Sequence, residues 1–411
     1  MGWTIVSLQE IFYDWQIAFF IYVLIQAFLT GLAFAVSVWY AYRHLKTGKC
    51  TAIFMFLAYS ILPIYPASVQ TISKDALSTW AFVIFAVLIM EGVRTEGNVF
   101  SSWKYLLSVT ILALFCSLTR KVNPYVVLLS LLVLLVFIRH KRFFLLIPIM
   151  AVSIIMFGLL PHLFSRYGVE PGGKQEMFSI PFQQTARYVE DYPDDITHEE
   201  YLAIDHLLYM EDLVDRYNPI SADGVKGFWE LGETDDYVRY LKAWFAEGLR
   251  HPFAYVDAFN AMLAGWFSFE EYDPMMNMDS HSQLNTDYLP DYITMRDEPF
   301  DESAAFYQNM FDVIYGIPVL NLLFTYGFYA ILIPAFSLWT TIIHHRQRKK
   351  HDWLALVPML SSLILGCFLA PLSVYSEGRR YLYPLTYTMP LMIAWCVFIC
   401  KSAVASHLQK G

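Results

Sequence analysis

Residues 103–119 (WKYLLSVTILALFCSLT), 120–121 (RK), 122–138 (VNPYVVLLSLLVLLVFI), 139–142 (RHKR) and 143–161 (FFLLIPIMAVSIIMFGLLP) follow one another without a break. Three apolar runs, 103–119, 124–138 and 143–161, are thus parted only by short basic clusters. About 20 mainly apolar residues cross the hydrocarbon core of a bilayer as a helix. Working outward, six further runs qualify: 16–41, 50–65, 76–91, 317–343, 353–373 and 384–400. The expected fold class is an all-α polytopic membrane protein with about nine transmembrane helices. Short runs such as 50–65 and 76–91 need flanking Trp and Tyr or tilted neighbours to match the bilayer.

Composition agrees. Of 411 residues, 57% are hydrophobic, 17% aromatic and only 16% charged, with a mean hydropathy of +0.42. A soluble domain carries about a quarter charged residues, so one soluble globular domain is excluded. The net charge of -9 argues against a nucleic-acid partner, which needs concentrated Lys and Arg. That sum hides a division: residues 162–312 hold 30 of the 37 acids but only 9 of the 28 bases. The organisation expected is an interfacial helix and six spans in 1–161, an acidic extracytoplasmic insertion with amphipathic helices in 162–312, and three spans with a cytoplasmic tail in 313–411.

The basic residues set the orientation. Alternate loops hold Arg43, Lys46 and Lys49; Arg94 and Lys104; Arg139, Lys141 and Arg142; Arg346, Arg348, Lys349 and Lys350; and Lys401 and Lys410. These are 14 of the 28 bases, and their loops should be cytoplasmic. The chain is then a multi-pass cell-membrane protein with its N-terminus and residues 162–312 outside. Residues 1–15 read as an interfacial helix with Leu8, Ile11, Phe12 and Trp15 on one face. They lack the basic start of a cleavable signal peptide. The five cysteines lie in or beside apolar runs, which speaks against a disulfide framework. Cys396 and Cys400 read as packing residues rather than metal ligands.

Within the insertion, 182–191 and 197–212 read as short helices. Residues 236–249 read as an amphipathic helix whose apolar face is Tyr237, Leu241, Trp244, Phe245 and Leu249. The next helix, 253–267, is expected to lie on the membrane rather than to cross it. The tract 268–303, with Glu270, Glu271, Asp273 and Asp279, reads as a solvated acidic loop, because its spacing matches no calcium loop. His198, His206 and His281 read as surface residues.

Ionisable groups at the ends of spans carry the functional signal. Ser73-Lys74-Asp75 leads into a span; Asp75 is a candidate general base, while helix capping is the alternative. Arg120-Lys121 offers adjacent cations for a phosphate, against plain snorkelling to the interface. Glu377-Gly378-Arg379-Arg380 offers two arginines before a span, against a loop in which Glu377 pairs with an arginine. Lys74, Arg120, Lys121, Arg379 and Arg380 together suit a lipid-linked phosphate. No metal set, nucleophilic triad or phosphate-cradling glycine loop is apparent.

These pieces, in this order, resemble a GT-C type membrane glycosyltransferase. They are most similar to an uncharacterised, mainly Gram-positive bacterial family of that type. The resemblance is carried by Ser73-Lys74-Asp75, Thr119-Arg120-Lys121-Val122-Asn123-Pro124-Tyr125 and Pro181-Phe182-Gln183-Gln184-Thr185-Ala186-Arg187. It continues in Tyr217-Asn218-Pro219-Ile220 with Asp223 and Lys226, in Trp244 with His251-Pro252-Phe253-Ala254-Tyr255, and in Arg379-Arg380-Tyr381-Leu382-Tyr383-Pro384. It implies a polyprenyl-phosphate-linked sugar, a glycan acceptor and transfer at the outer membrane face. It further implies Asp75 as catalytic acid, the five cations on the lipid phosphate, and Gln183, Gln184, Arg187, His251 and Glu377 in the substrate domain. The cofactor is open, a divalent metal being one option. Related enzymes carry a key acid in a first outer loop that this chain lacks, which leaves a truncated gene model, a degenerate protein or a shortened enzyme. The alternatives are a non-catalytic scaffold that binds a glycan or envelope partner and, behind it, a transporter or flippase of a lipid-linked solute.

Overall fold

A computed structural model describes residues 2–62, 64–169, 175–269, 309–310, 312–348, 351–369 and 379–408. Among the described residues helix follows helix and no strand forms; the only extended pairing is an isolated bridge between Asn218 and Ser221. Two compact units divide the chain: residues 1–162 with 269–363 and 382–411, and residues 163–268 with 364–381.

The first unit is a helix bundle. It begins with α1 (Gly2–Phe12), α2 (Trp15–Arg43), α3 (Lys49–Ile61), α4 (Ile64–Val69), α5 (Lys74–Arg94), α6 (Trp103–Thr119), α7 (Asn123–Phe137) and α8 (Arg142–Arg166). α8 passes through a π-helical stretch at Ile154–Leu159. α2, α5 and α8 are long and apolar enough to cross a membrane, and so are two later helices, Phe328–His345 and Arg380–Val404. Four apolar helices are shorter: Lys49–Ile61, Trp103–Thr119, Asn123–Phe137 and Asp352–Phe368. Among the described residues the chain is therefore all-α with the apolar helices of a membrane protein, and the expected nine spans are not all of spanning length. Five of these reach full spanning length.

Local chemistry fixes the helix ends. The Asp14 carboxylate accepts from the backbone N–H groups of Gln16 (2.8 Å) and Ile17 (3.1 Å), capping α2. The turn before it puts Tyr13 in the left-handed region (φ 53°) and folds α1 back on α2. Leu8 and Trp15 then pack with Ile5, Ala18 and Tyr22. The expected α1 face divides: Ile11 and Phe12 stay exposed.

α5 is enclosed by α2 and α6. Gln26, buried inside α2, donates its amide to the carbonyls of Val69 (2.6 Å) and Thr71 (3.1 Å) and pins the loop that leads into α5. The Tyr59 hydroxyl donates to the Tyr387 carbonyl (3.1 Å) and the Tyr65 hydroxyl to the Thr386 carbonyl (3.2 Å). The last helix is thereby tied to α3 and α4.

The second unit is built on α9 (Gln175–Asp191), against which α11 (Thr234–Arg250) and α12 (Pro252–Phe267) pack; α10 (His198–Leu208) packs on α11. Its core gathers Phe182, Ala186 and Val189 of α9 with Ile204, Leu207 and Leu208 of α10 and Tyr237 and Tyr240 of α11. Thr197 and Glu200 close α10 with a reciprocal capping box. Residues 364–381 join this unit through Trp266, whose ring lies 5.9 Å from that of Tyr381 and against Gly366.

α11 is rotated from its expected orientation. Its buried residues are Asp236, Tyr237, Tyr240, Ala243 and Glu247. Leu241, Phe245 and Leu249 point outward. Tyr237 and Tyr240 fill the core because the Tyr237 ring stacks on Phe178 and the Tyr240 ring meets Phe182 edge-to-face, both on α9.

The helix after the second unit, α13 (Phe328–His345), starts later than the run 317–343 suggests. Pro318 supplies no backbone N–H, Val319 turns left-handed (φ 75°), and Leu320–Phe324 forms only a 3-10 stretch. α14 (Asp352–Phe368) follows. α15 (Arg379–Leu408) exceeds the expected 384–400 and runs through Pro384 and Pro390. Inside a bundle neighbouring helices accommodate such prolines.

Candidate functional site

The first turn of α5 is set by Ser73, whose hydroxyl caps it by accepting from the Ala76 N–H (3.1 Å). Capping, one of the two readings of Ser73-Lys74-Asp75, is thus the work of Ser73, and the Asp75 side chain is engaged elsewhere. Asp75 is 2% exposed and points into the bundle. Lys74, beside it, is exposed.

Its partner comes from the turn between α6 and α7. Thr119-Arg120-Lys121-Val122 is a tight reversal in which the Arg120 carbonyl accepts from the Asn123 N–H (3.1 Å). The Asn123 side chain donates to the Cys116 carbonyl (3.0 Å), satisfying one of the open carbonyls at the end of α6. Pro124 then starts α7, where the missing N–H costs nothing. Arg120 adopts an extended backbone (φ -143°, ψ 131°) at this corner. Its side chain turns inward, 3% exposed, and its Nε lies 2.8 Å from Asp75 Oδ1. Lys121 turns outward and is exposed. The bundle therefore ends in a buried carboxylate–guanidinium pair with Lys74 and Lys121 on the neighbouring surface. Charges so enclosed hold only when paired, because neither would otherwise be solvated.

In the third cation set, Glu377 and the Arg379 side chain lie outside the described residues. Arg380 is partly buried, with its guanidinium 5.4 Å from the centre of the Tyr381 ring. The basic residue Arg380 falls in the second unit and Tyr383 and Pro384 in the first.

The residues assigned to a substrate domain have internal partners. Gln183 is fully buried and donates to the Asn218 carbonyl. Gln184 donates to the Tyr255 carbonyl (3.1 Å) and accepts from the Trp244 indole N–H (3.1 Å), so it stitches α9 to α11 and α12. Arg187 pairs with Asp191 (2.7 Å) and Glu190 (3.5 Å) on its own helix. His251 Nε2 lies 2.8 Å from Asp195 Oδ2 and its ring stacks on Tyr192 at 3.7 Å.

Sequence reading passes over one group here. Glu247 is 0% exposed on the inner face of α11. Burial, and then the nearby charge of Glu200, push its carboxyl up to about 8. The Tyr255 hydroxyl donates to the Trp244 carbonyl (2.6 Å) and stands 3.3 Å from Glu247 Oε2. With the phenolic proton so committed, a protonated Glu247 can donate to the phenol oxygen. A lone glutamate at a core position of an otherwise polar helix was the available signal. Glu200, nearby, holds Arg250 at 2.7 Å.

Among the described residues no cluster of His, Cys, Asp and Glu has the shape of a metal site. The described residues of both units present ion pairs. Over residues 1–410 the chain matches DUF6020, a family of unknown function, and it belongs to that family. No curated protein and no solved structure matches it.

Proposed function

We propose that the chain is a GT-C type membrane glycosyltransferase-like protein that takes a polyprenyl-phosphate-linked sugar at the outer face of the membrane. The observation that carries this reading is the buried Asp75–Arg120 pair, with Lys74 and Lys121 exposed beside it. An acid and several cations at one end of an apolar bundle suit a ligand with an apolar tail and an anionic head.

The pair supplies a mechanism. A lipid phosphate competes with Asp75 for the Arg120 guanidinium. Once Arg120 turns to the phosphate, the Asp75 carboxylate can take the proton of an acceptor hydroxyl. The acceptor oxygen then bonds to the sugar's anomeric carbon, the bond from that carbon to the phosphate oxygen breaks, and Arg120, Lys74 and Lys121 hold the leaving lipid phosphate. The test is sugar transfer from a radiolabelled polyprenyl-phosphate donor in membranes carrying the protein. Asp75→Asn should abolish transfer, and Lys121→Ala should weaken donor use. Unchanged transfer in Asp75→Asn rejects the reading.

The closure of the same ion pair inside the bundle favours a second reading, a non-catalytic membrane scaffold in which Asp75 and Arg120 only fasten α5 to the α6–α7 turn. It predicts no transfer by the unmodified protein with any polyprenyl-linked sugar.

A further inference from the structure

At the opposite end of the bundle from Asp75, residues of α2 and α3 line an open groove of about 700 Å³. Its floor is the stacked pair Phe34 and Tyr59, ring centres 3.9 Å apart and planes 12° from parallel. The Tyr59 hydroxyl is turned inward to the Tyr387 carbonyl, so an apolar ring face lines the groove. Trp39, Ile53 and Phe56 form exposed walls. The far end is open because residue 31 is glycine: a Cβ built there meets nothing within 4 Å. From Gly31 to Tyr42, α2 rises about 17 Å at roughly 1.5 Å per residue. That is about half of a ~30 Å hydrocarbon core, the depth of one leaflet.

The other end is basic. Arg43, Lys46 and Lys49 are exposed there, Lys49 lines the groove itself, and Lys401 reaches the same turn by donating to the Thr47 carbonyl. Residues 41–74 contain no acid. The acid facing this turn is Glu91, 3.8 Å from His44, and Arg94 already holds both of its oxygens at 2.7 Å. Trp39 and Tyr42, an aromatic pair of the kind that sits at headgroup level, lie between the apolar and basic parts.

We propose that this groove binds one anionic phospholipid, with an acyl chain along the Phe34–Tyr59 floor and the phosphate at Lys49. The one-leaflet length and the single basic end favour a phospholipid over a membrane-spanning ligand or a neutral lipid. Lys and Arg near an anionic headgroup attract it electrostatically. The site is independent of the Asp75 end and of any reaction there.

The test is native mass spectrometry of the purified full-length chain in detergent, titrated separately with dioleoyl phosphatidylglycerol and dioleoyl phosphatidylcholine. One phosphatidylglycerol should stay bound per chain, at least tenfold more tightly than phosphatidylcholine. Lys49→Glu should erase the preference. Gly31→Leu, which fills open space, should expel the lipid while circular dichroism and elution stay as in the unmodified protein; Ala35→Leu, on the same wall, is the second variant should the first misfold. Equal retention of both lipids, or undiminished phosphatidylglycerol binding in both leucine variants, overturns the proposal. So does a chain dimer that the leucine variants dissociate, since it would assign the groove to a second copy.

Discussion

Arg120 Nε and Asp75 Oδ1 meet at 2.8 Å between side chains that are 3% and 2% exposed. The 44 residues between them hold most of α5 and all of α6, so the contact fastens the start of one helix to the end of the other. Removing one partner of an enclosed pair strands the other charge, at a cost of about 3–5 kcal/mol, whereas removing both is often close to neutral. Arg120→Leu and Asp75→Leu should each lower the thermal unfolding midpoint sharply, and the double variant should recover most of the loss. A double-mutant cycle in detergent measures the coupling; additive losses would show that the two side chains do not depend on each other.

Glu247 makes the second unit sensitive to alkali. Its carboxyl titrates near 8 in the folded chain against 4.5 for a free glutamate. Between those values the folded state binds the extra proton, so stability falls as pH rises from about 4.5 through 8 and levels off above. The span corresponds to a few kcal/mol, as an order of magnitude. Hydrogen exchange of α11 should quicken between pH 6 and pH 9 by roughly tenfold or more at constant chemical exchange rate. Glu247→Gln, neutral at every pH, should remove that dependence; a variant that keeps it places the titration elsewhere.

Gln184 separates structure from substrate contact. Gln184→Ala leaves the Trp244 indole N–H and the Tyr255 carbonyl without their partner, at about 1–3 kcal/mol for each group left buried. Limited proteolysis of the second unit should accelerate. If protease resistance is unchanged while sugar transfer is lost, Gln184 serves a substrate and not the helix junction.

Gly97 tolerates no side chain. It turns the chain after α5 with φ 91°, and a Cβ there would lie 2.1 Å from the His140 carbonyl oxygen and 2.4 Å from Ile138 Cγ2. Gly97→Ala pays about 1–2 kcal/mol for the left-handed backbone before the clash is counted. A steep fall in yield of folded protein from membranes is expected; Gly158→Ala, where a Cβ meets nothing within 4 Å, is the control that should express normally.

Much of the bundle was legible because span detection needs only apolar length, and Trp15–Arg43 states that length in one unbroken run. The ends were less legible. Val319 breaks the run 317–343 through a backbone turn that hydropathy does not register. Asp75 and Arg120 could each be singled out as charges at the ends of apolar runs. Their pairing could not, since it depends on the α6–α7 turn sending Arg120 inward and Lys121 outward. On α11 the apolar stripe Leu241, Phe245 and Leu249 misled, because the aromatic contacts of Tyr237 and Tyr240 with α9 outweighed aliphatic character in choosing the inner face.

The tyrosine bonds from α3 and α4 to α15 set an order of assembly. Tyr59 and Tyr65 lie more than 300 residues before their acceptors at Tyr387 and Thr386. A ribosome delivers the first partners long before the last, and until then those hydroxyls lack their native acceptors. The early helices must therefore wait in the bilayer for α15, whose late arrival completes both bonds.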